Sequence, residues 1–131
     1  MQTLDQQYAA SAYAQVSPLK EKYKEKKEYK KYGAMAHKLP ILIHTAGLAQ
    51  ALEFVNSRGE PIQKLLLDHL AVTIELTNKE DLLKTVKSVP LSGYIRLTRQ
   101  TLAALLWYKR FAQSILDVDV TEATTVEGGG Q

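Results

Sequence analysis

The stretch Tyr29–Phe54, YKKYGAMAHKLPILIHTAGLAQALEF, decides how this chain folds. A basic segment runs into Lys38-Leu39-Pro40, then an apolar run, then Gly47-Leu48 and a second amphipathic stretch. Pro40 has no N–H and disfavours helical geometry at Leu39, so Leu39-Pro40 reads as a break or kink. Ile41-Leu42-Ile43 is partly β-branched, but no partner strand with turn signals lies near it, so it reads as a buried helical turn. Leu48, Leu52 and Val55 recur at helical spacing, and Gly59 is placed to end that helix as its C′ residue.

Working outward, nearly every segment carries helix signals. Thr3 and Gln6 form a capping box, and Leu4, Tyr8, Ala12 and Val16 recur every fourth residue up to Ser17. Ser17-Pro18 reads as the start of a second helix that continues through the Lys-rich stretch to Gly33 or Lys38. Pro61 opens a helix with Ile62, Leu66, Leu70 and Ile74 on one face. Thr77 or Asn78 caps a short helix that Pro90 stops. Ser92 then caps a last helix, Gly93–Leu116, apolar around most of its circumference and therefore central. The fold class expected is all-α: a compact single-domain bundle of about six helices over residues 1–116. Residues 117–131 hold Asp117, Asp119, Glu122 and Glu127 with Gly128–Gly130, and read as a mobile acidic tail.

A chain of 131 residues with 45% apolar content fits one globular domain able to bury a core without staples. Cysteine is absent, which removes disulfides, thiolate catalysis and cysteine metal knuckles, and agrees with a reducing, cytoplasmic location. No secretory signal pattern and no membrane-length apolar run is present. The net charge of +3 hides an asymmetry. Setting aside the four acids of residues 117–131 leaves 17 basic residues against 10 acidic ones, a body charge of +7. Such a balance suits polyanions.

In an unbroken helix, Lys20, Lys24, Lys27 and Lys31 fall on one line roughly 17 Å long, and Lys38 extends it. Three readings of that line stand open. It is a solvated face ion-paired through Glu21, Glu25 and Glu28, a nucleic-acid contact, or a protein interface. Tyr23, Tyr29 and Tyr32 among the lysines read better as packing than as base-stacking residues. Arg96 and Arg99, at the expected start of the last helix, oppose its dipole and so are candidates for a partner phosphate or carboxylate. Lys109 and Arg110 suit the negative dipole at its end.

No catalytic pattern is present. His37 and His44 flank Pro40 and read as partly exposed, and His69 reads as a helix-face residue. They lack HExxH or carboxylate companions, so no metal site or cofactor is expected. No serine lies in a GxSxG elbow, and Gly128–Gly130 has no strand or helix around it to form a phosphate loop. Glu80-Asp81 suit the positive end of a helix dipole better than acid–base work.

Two segments carry a resemblance. One runs from Tyr32-Gly33 through Lys38-Leu39-Pro40 to Gly47-Leu48 and Ala51-Leu52-Glu53-Phe54. The other is Leu97–Ala112, with Gln100, Leu102-Ala103, Trp107 and Lys109-Arg110-Phe111-Ala112. With the opening MQTLDQ, their order and spacing resemble the small subunit of the type III-B CRISPR effector, the Cmr complex. The resemblance covers about Met1–Leu116 and implies a compact helical protein with no catalytic activity and no small-molecule substrate. It implies copies that stack beside the backbone subunits of the effector, lining the groove that holds guide RNA and target RNA. Under that reading Lys24, Lys27, Lys31, Lys38 and Arg99 are the expected RNA-facing residues. The alternatives are a standalone basic nucleic-acid binder or a scaffold that touches no RNA.

Overall fold

A computed structural model describes residues 1–120. Its elements are α1 (Leu4–Val16), the single turn α2 (Leu19–Lys22), a 3-10 turn (Glu25–Lys27), α3 (Tyr29–Ala46), α4 (Leu48–Arg58), α5 (Pro61–Thr73), α6 (Lys79–Ser88) and α7 (Leu91–Ser114). Six helices longer than one turn build an all-α bundle, and no strand occurs among the described residues. Helix α7 lies along α1 and α3, α3 also packs on α4 and α5, and α6 closes against α4 and α5. The core runs through Tyr32, Leu39, Leu52, Leu66, Leu105 and Tyr108, all fully buried. Burying each such side chain contributes about 1.5–3 kcal/mol.

Several starts follow the expected chemistry. The Gln6 N–H donates to Thr3 Oγ1 at 3.1 Å, and the Thr3 N–H to Gln6 Oε1 at 2.8 Å. Asn78 Oδ1 accepts from the Asp81 N–H at 2.9 Å, while the Thr77 N–H reaches Asp81 Oδ2 at 3.0 Å. Pro61 opens α5, and Ile62, Leu66, Leu70 and Ile74 are all buried. Tyr29 and Tyr32 are core residues and Tyr23 packs against the core, as the packing reading expects.

Other expectations are corrected. The Ser17 hydroxyl donates back to Tyr13 O at 2.6 Å instead of capping a new helix. The long lysine helix does not exist: Lys26 and Lys27 take φ of 53° and 52°, and the chain breaks there. The reason is phase. At about 100° per residue, an unbroken helix would place Leu19 roughly 140° from Tyr32 and 160° from Leu39. All three are buried, so the turn restores the register. Helix α3 passes through Pro40 without ending. The bond missing at Pro40 is the one to Ala36 O, and Ala36, Leu39 and Ile43, all buried, anchor the helix in the core on both sides of the gap. Of the Ile41-Leu42-Ile43 turn, Ile41 is exposed and only Ile43 is buried. Gly59 ends α4 in extended geometry, φ −73° and ψ 154°, not as a left-handed C′.

Helix α7 starts at Leu91 behind Pro90, so Ser92 lies inside it. On α7 the apolar circumference is only partly covered, with Ile95 and Leu106 exposed. His44 is exposed, but His37 is buried against the returning chain, its Nε2 2.7 Å from Val118 O. Leu116 and Val118 are themselves fully buried, so the folded body continues past the expected boundary at Leu116. The rest of the expected acidic tail, with Glu122, Glu127 and Gly128–Gly130, lies outside the described residues.

The α3–α4 joint depends on Gly47, at φ 89° and ψ 159°. This region is essentially restricted to glycine. A Cβ there would also sit 3.4 Å from the Tyr94 hydroxyl, which accepts the Ala49 N–H at 3.1 Å. Gly47→Ala is expected to cost about 1–3 kcal/mol, read as a fall of about 5–10 °C in Tm. A melting point within about 1 °C of the parent would show that the joint relaxes freely.

Candidate nucleic-acid interface

The expected basic residues lie in three places instead of on one line. The first is the irregular segment between α2 and α3. Lys24 precedes the 3-10 turn, and the Lys27 N–H donates to its carbonyl at 2.9 Å, so the two side chains leave a common turn. Both are exposed. Lys24 Nζ reaches Glu21 at 2.9 Å, an exposed pair between residues three apart. Lys22 lies 5.5 Å over the Tyr23 ring.

The second is the α3 face carrying Lys31 and Lys38, seven residues apart. Lys31 Nζ pairs with Glu60 at 2.9 Å and with Glu28 at 3.5 Å, which ties α3 to the α4–α5 joint. The hydrogen bond to Glu60 holds the Lys31 ammonium above the ordinary lysine range. Lys38 Nζ sits 5.5 Å over the ring of Phe54, and both line a cleft with Met35, Arg58, Gly59 and Gln63. Arg58 therefore joins Lys38 on one cleft, a neighbour that spacing along the sequence does not reveal. Phe54 is 40% exposed and keeps ring surface open beside these two cations.

The third holds Arg99, exposed on α7 and without an ion-pair partner among the described residues. Because α7 begins at Leu91, Arg96 and Arg99 stand in its second and third turns. Dipole effects fade beyond the first turn, so the argument that these arginines oppose the dipole loses its force. The helix ends at Ser114, so Lys109 and Arg110 also precede its last turn. Arg110 stacks over Trp107 at 4.7 Å.

The tyrosines add little stacking surface. Tyr32 is fully buried, and its hydroxyl lies 2.7 Å from His69 Nδ1. Among the described residues, no cluster of three metal-ligating side chains occurs and no helix is long and apolar enough to cross a membrane. Sequence reading also missed the partner of Lys20, whose Nζ meets Asp117 Oδ2 at 2.5 Å. The opposite charges of the basic body and the segment from residue 117 were the available signal.

Comparison with known proteins gives a consistent result. The profile of a family described as CRISPR-associated protein (Cas_Cmr5) matches residues 4–115. A relative from Thermus thermophilus, named CRISPR system Cmr subunit Cmr5, is 40% identical over 117 residues, covering 89% of this chain and 99% of the relative. The crystal structure of a CRISPR-associated Cmr5 family protein from Thermus thermophilus superposes with a TM-score of 0.77. It shares 39% identity, and the match covers 88% of this chain and 98% of that one.

Proposed function

The chain belongs to the Cmr5 family of CRISPR-associated proteins, and on that premise we propose that it is the small subunit of a type III-B Cmr effector, without catalytic chemistry of its own. It stacks with further copies beside the backbone subunits and supports guide RNA paired to target RNA. The observation that carries this reading is the near-complete coverage of a relative named as a Cmr subunit. The basic surface supports it: Lys24 and Lys27 at an exposed turn, Lys31 and Lys38 on α3, and Arg99 on α7. Lysine meets phosphate as a point charge without reading bases, and in a guided complex base pairing supplies the sequence information.

The test is an effector assembled with Lys24→Glu, Lys27→Glu and Lys31→Glu together. Target-RNA affinity at low salt is expected to fall roughly 10- to 100-fold, with a salt slope shallower by about 2. Lys31 also pairs with Glu28 and Glu60, so the variant's melting curve is recorded beside its affinity. Unchanged affinity and slope in a normally assembled complex would leave a protein–protein scaffold that touches no RNA.

A further inference from the structure

The chain leaves α7 and turns back across α3. Asp117 adopts φ 59°, a left-handed conformation that L-residues other than Asn and Asp seldom hold. The next residue anchors the return. The Val118 N–H donates to Ala112 O at 2.9 Å, its carbonyl accepts from His37 Nε2 at 2.7 Å, and its side chain is fully buried. It seats over Gly33, where a Cβ would stand 2.8 Å from Val118 Cγ2, so only glycine leaves room for it. With Val118 inward, its neighbours Asp117 and Asp119 are exposed.

The Asp117 carboxylate meets the basic segment. Asp117 Oδ2 holds Lys20 Nζ at 2.5 Å, and Lys20 lies 5.9 Å over the Tyr29 ring. The Lys20 hydrogen bond holds the Asp117 carboxyl below the usual carboxylate range, and Lys30 acts on it in the same direction. Lys20 stands on α2 and Lys30 in the first turn of α3, next to the turn that carries Lys24 and Lys27. A carboxylate of this chain thus occupies the place a phosphate would take at one end of the proposed RNA surface. The pair is half-exposed on the lysine side and 66% exposed on the aspartate side, so water and salt screen it. A polyanion, which gains by releasing counterions, can displace it while Val118 remains seated.

We propose that Lys20 and Lys30 are a further phosphate-binding pair of this subunit, and that Asp117 and Asp119 cover it in the free protein. The inference rests on the RNA-supporting role proposed above and extends it. The isolated subunit binds RNA weakly, and the guide–target duplex of the assembled effector displaces the carboxylates.

The experiment uses the isolated full chain and a fluorescein-labelled mixed-sequence single-stranded RNA, with anisotropy read across a salt series. Asp117→Asn with Asp119→Asn is expected to tighten binding about tenfold at the lowest salt and to steepen the salt slope by about 1. Asp5→Asn with Glu75→Gln removes the same charge elsewhere and is expected to stay within about twofold of the parent. Lys20→Gln should leave the parent unchanged and abolish most of the gain in the double-Asn background. Circular dichroism confirms that each variant keeps its helices, and Asp117→Asn alone serves if the pair does not. The proposal is overturned by no tightening, by equal tightening in the control pair, or by a Lys20 effect of equal size in both backgrounds. If the tail variants behave normally but the assembled effector still depends on Lys24, Lys27 and Lys31, only this inference falls. A tail effect in the isolated chain, with no lysine dependence in the effector, would instead remove the proposed function.

Discussion

Tyr108→Ala is expected to destabilise the fold by about 3–5 kcal/mol, a large fraction of what holds a domain of this size together. Tyr108 is fully buried on α7. Its hydroxyl donates to His69 O at 3.1 Å and lies 2.7 Å from Thr73 Oγ1, which is in turn 2.8 Å from Ser11 Oγ. A phenol has one proton, so the order must run from Ser11 to Thr73 to Tyr108 to the carbonyl. Burial pushes the phenol up to about 12, so it remains a neutral donor at any physiological pH. The chain of hydroxyls links α1, α5 and α7. Alanine would open a ring-sized cavity, leave Thr73 without its acceptor and leave the His69 carbonyl without the phenol's proton. Tyr108→Phe keeps the ring and removes only the hydroxyl, at about 1–3 kcal/mol. Urea unfolding of the two variants separates packing from the network. A loss below about 1.5 kcal/mol for alanine would show that the site collapses around the missing ring.

The same network shows what the sequence could and could not reveal. Helix starts were legible because caps are local: Thr3 with Gln6, Asn78 and Pro61 act within four residues of themselves. The all-α class and the core stripes of α4 and α5 were legible because a 3.6-residue period survives in the letters. The break at Lys26-Lys27 was not. Every residue from Lys20 to Lys31 tolerates a helix, and the break arises because Leu19, Tyr32 and Leu39 must all reach one core. That demand is tertiary, and it overrides local propensity. Pro40 failed in the opposite sense: a residue that usually ends helices was carried through by its buried neighbours.

Of the candidate interface, residue types were legible and geometry was not. Lys24 and Lys27 were expected on a helix and instead share a turn. Lys31 was expected beside Glu28 and is held as well by Glu60, 29 residues away. Lys38 finds Arg58 across a helix pair, and Lys20 finds Asp117 from the far end of the chain. Contacts of that separation leave no periodic trace. Because α7 starts two residues earlier than expected, at Leu91, Arg96 moves from the edge of the first turn into the second, while Arg99 lies beyond the first turn under either start.

Acid is expected to weaken this fold through one histidine. Burial lowers His69 from 6.5 to about 4; nearby Asp68 opposes the shift and Lys22 adds to it. The Tyr32 hydroxyl, held well above its ordinary range by burial, lies 2.7 Å from His69 Nδ1, which in one tautomer of the neutral ring can accept from the phenol O–H. A base whose folded value is depressed leaves the unfolded chain holding more protons between the two values. Stability from this group is complete above pH 6.5, falls as pH drops from 6.5 towards 4, and changes no further below that. The full gap corresponds to about 3 kcal/mol, of which about 2 kcal/mol is lost by about pH 4.5. Carboxylates titrate near the bottom of the same window, so the comparison is with His69→Gln, whose amide oxygen can still accept from Tyr32. The variant should match the parent's loss from other groups and lack this one, so that the two stability curves converge or cross between about pH 7 and 4.5. Parallel curves would show that His69 takes up its proton in the fold as readily as in the unfolded chain. The α3–α5 seam would then have to accommodate an imidazolium beside Tyr32, with the phenol oxygen turned to accept from it.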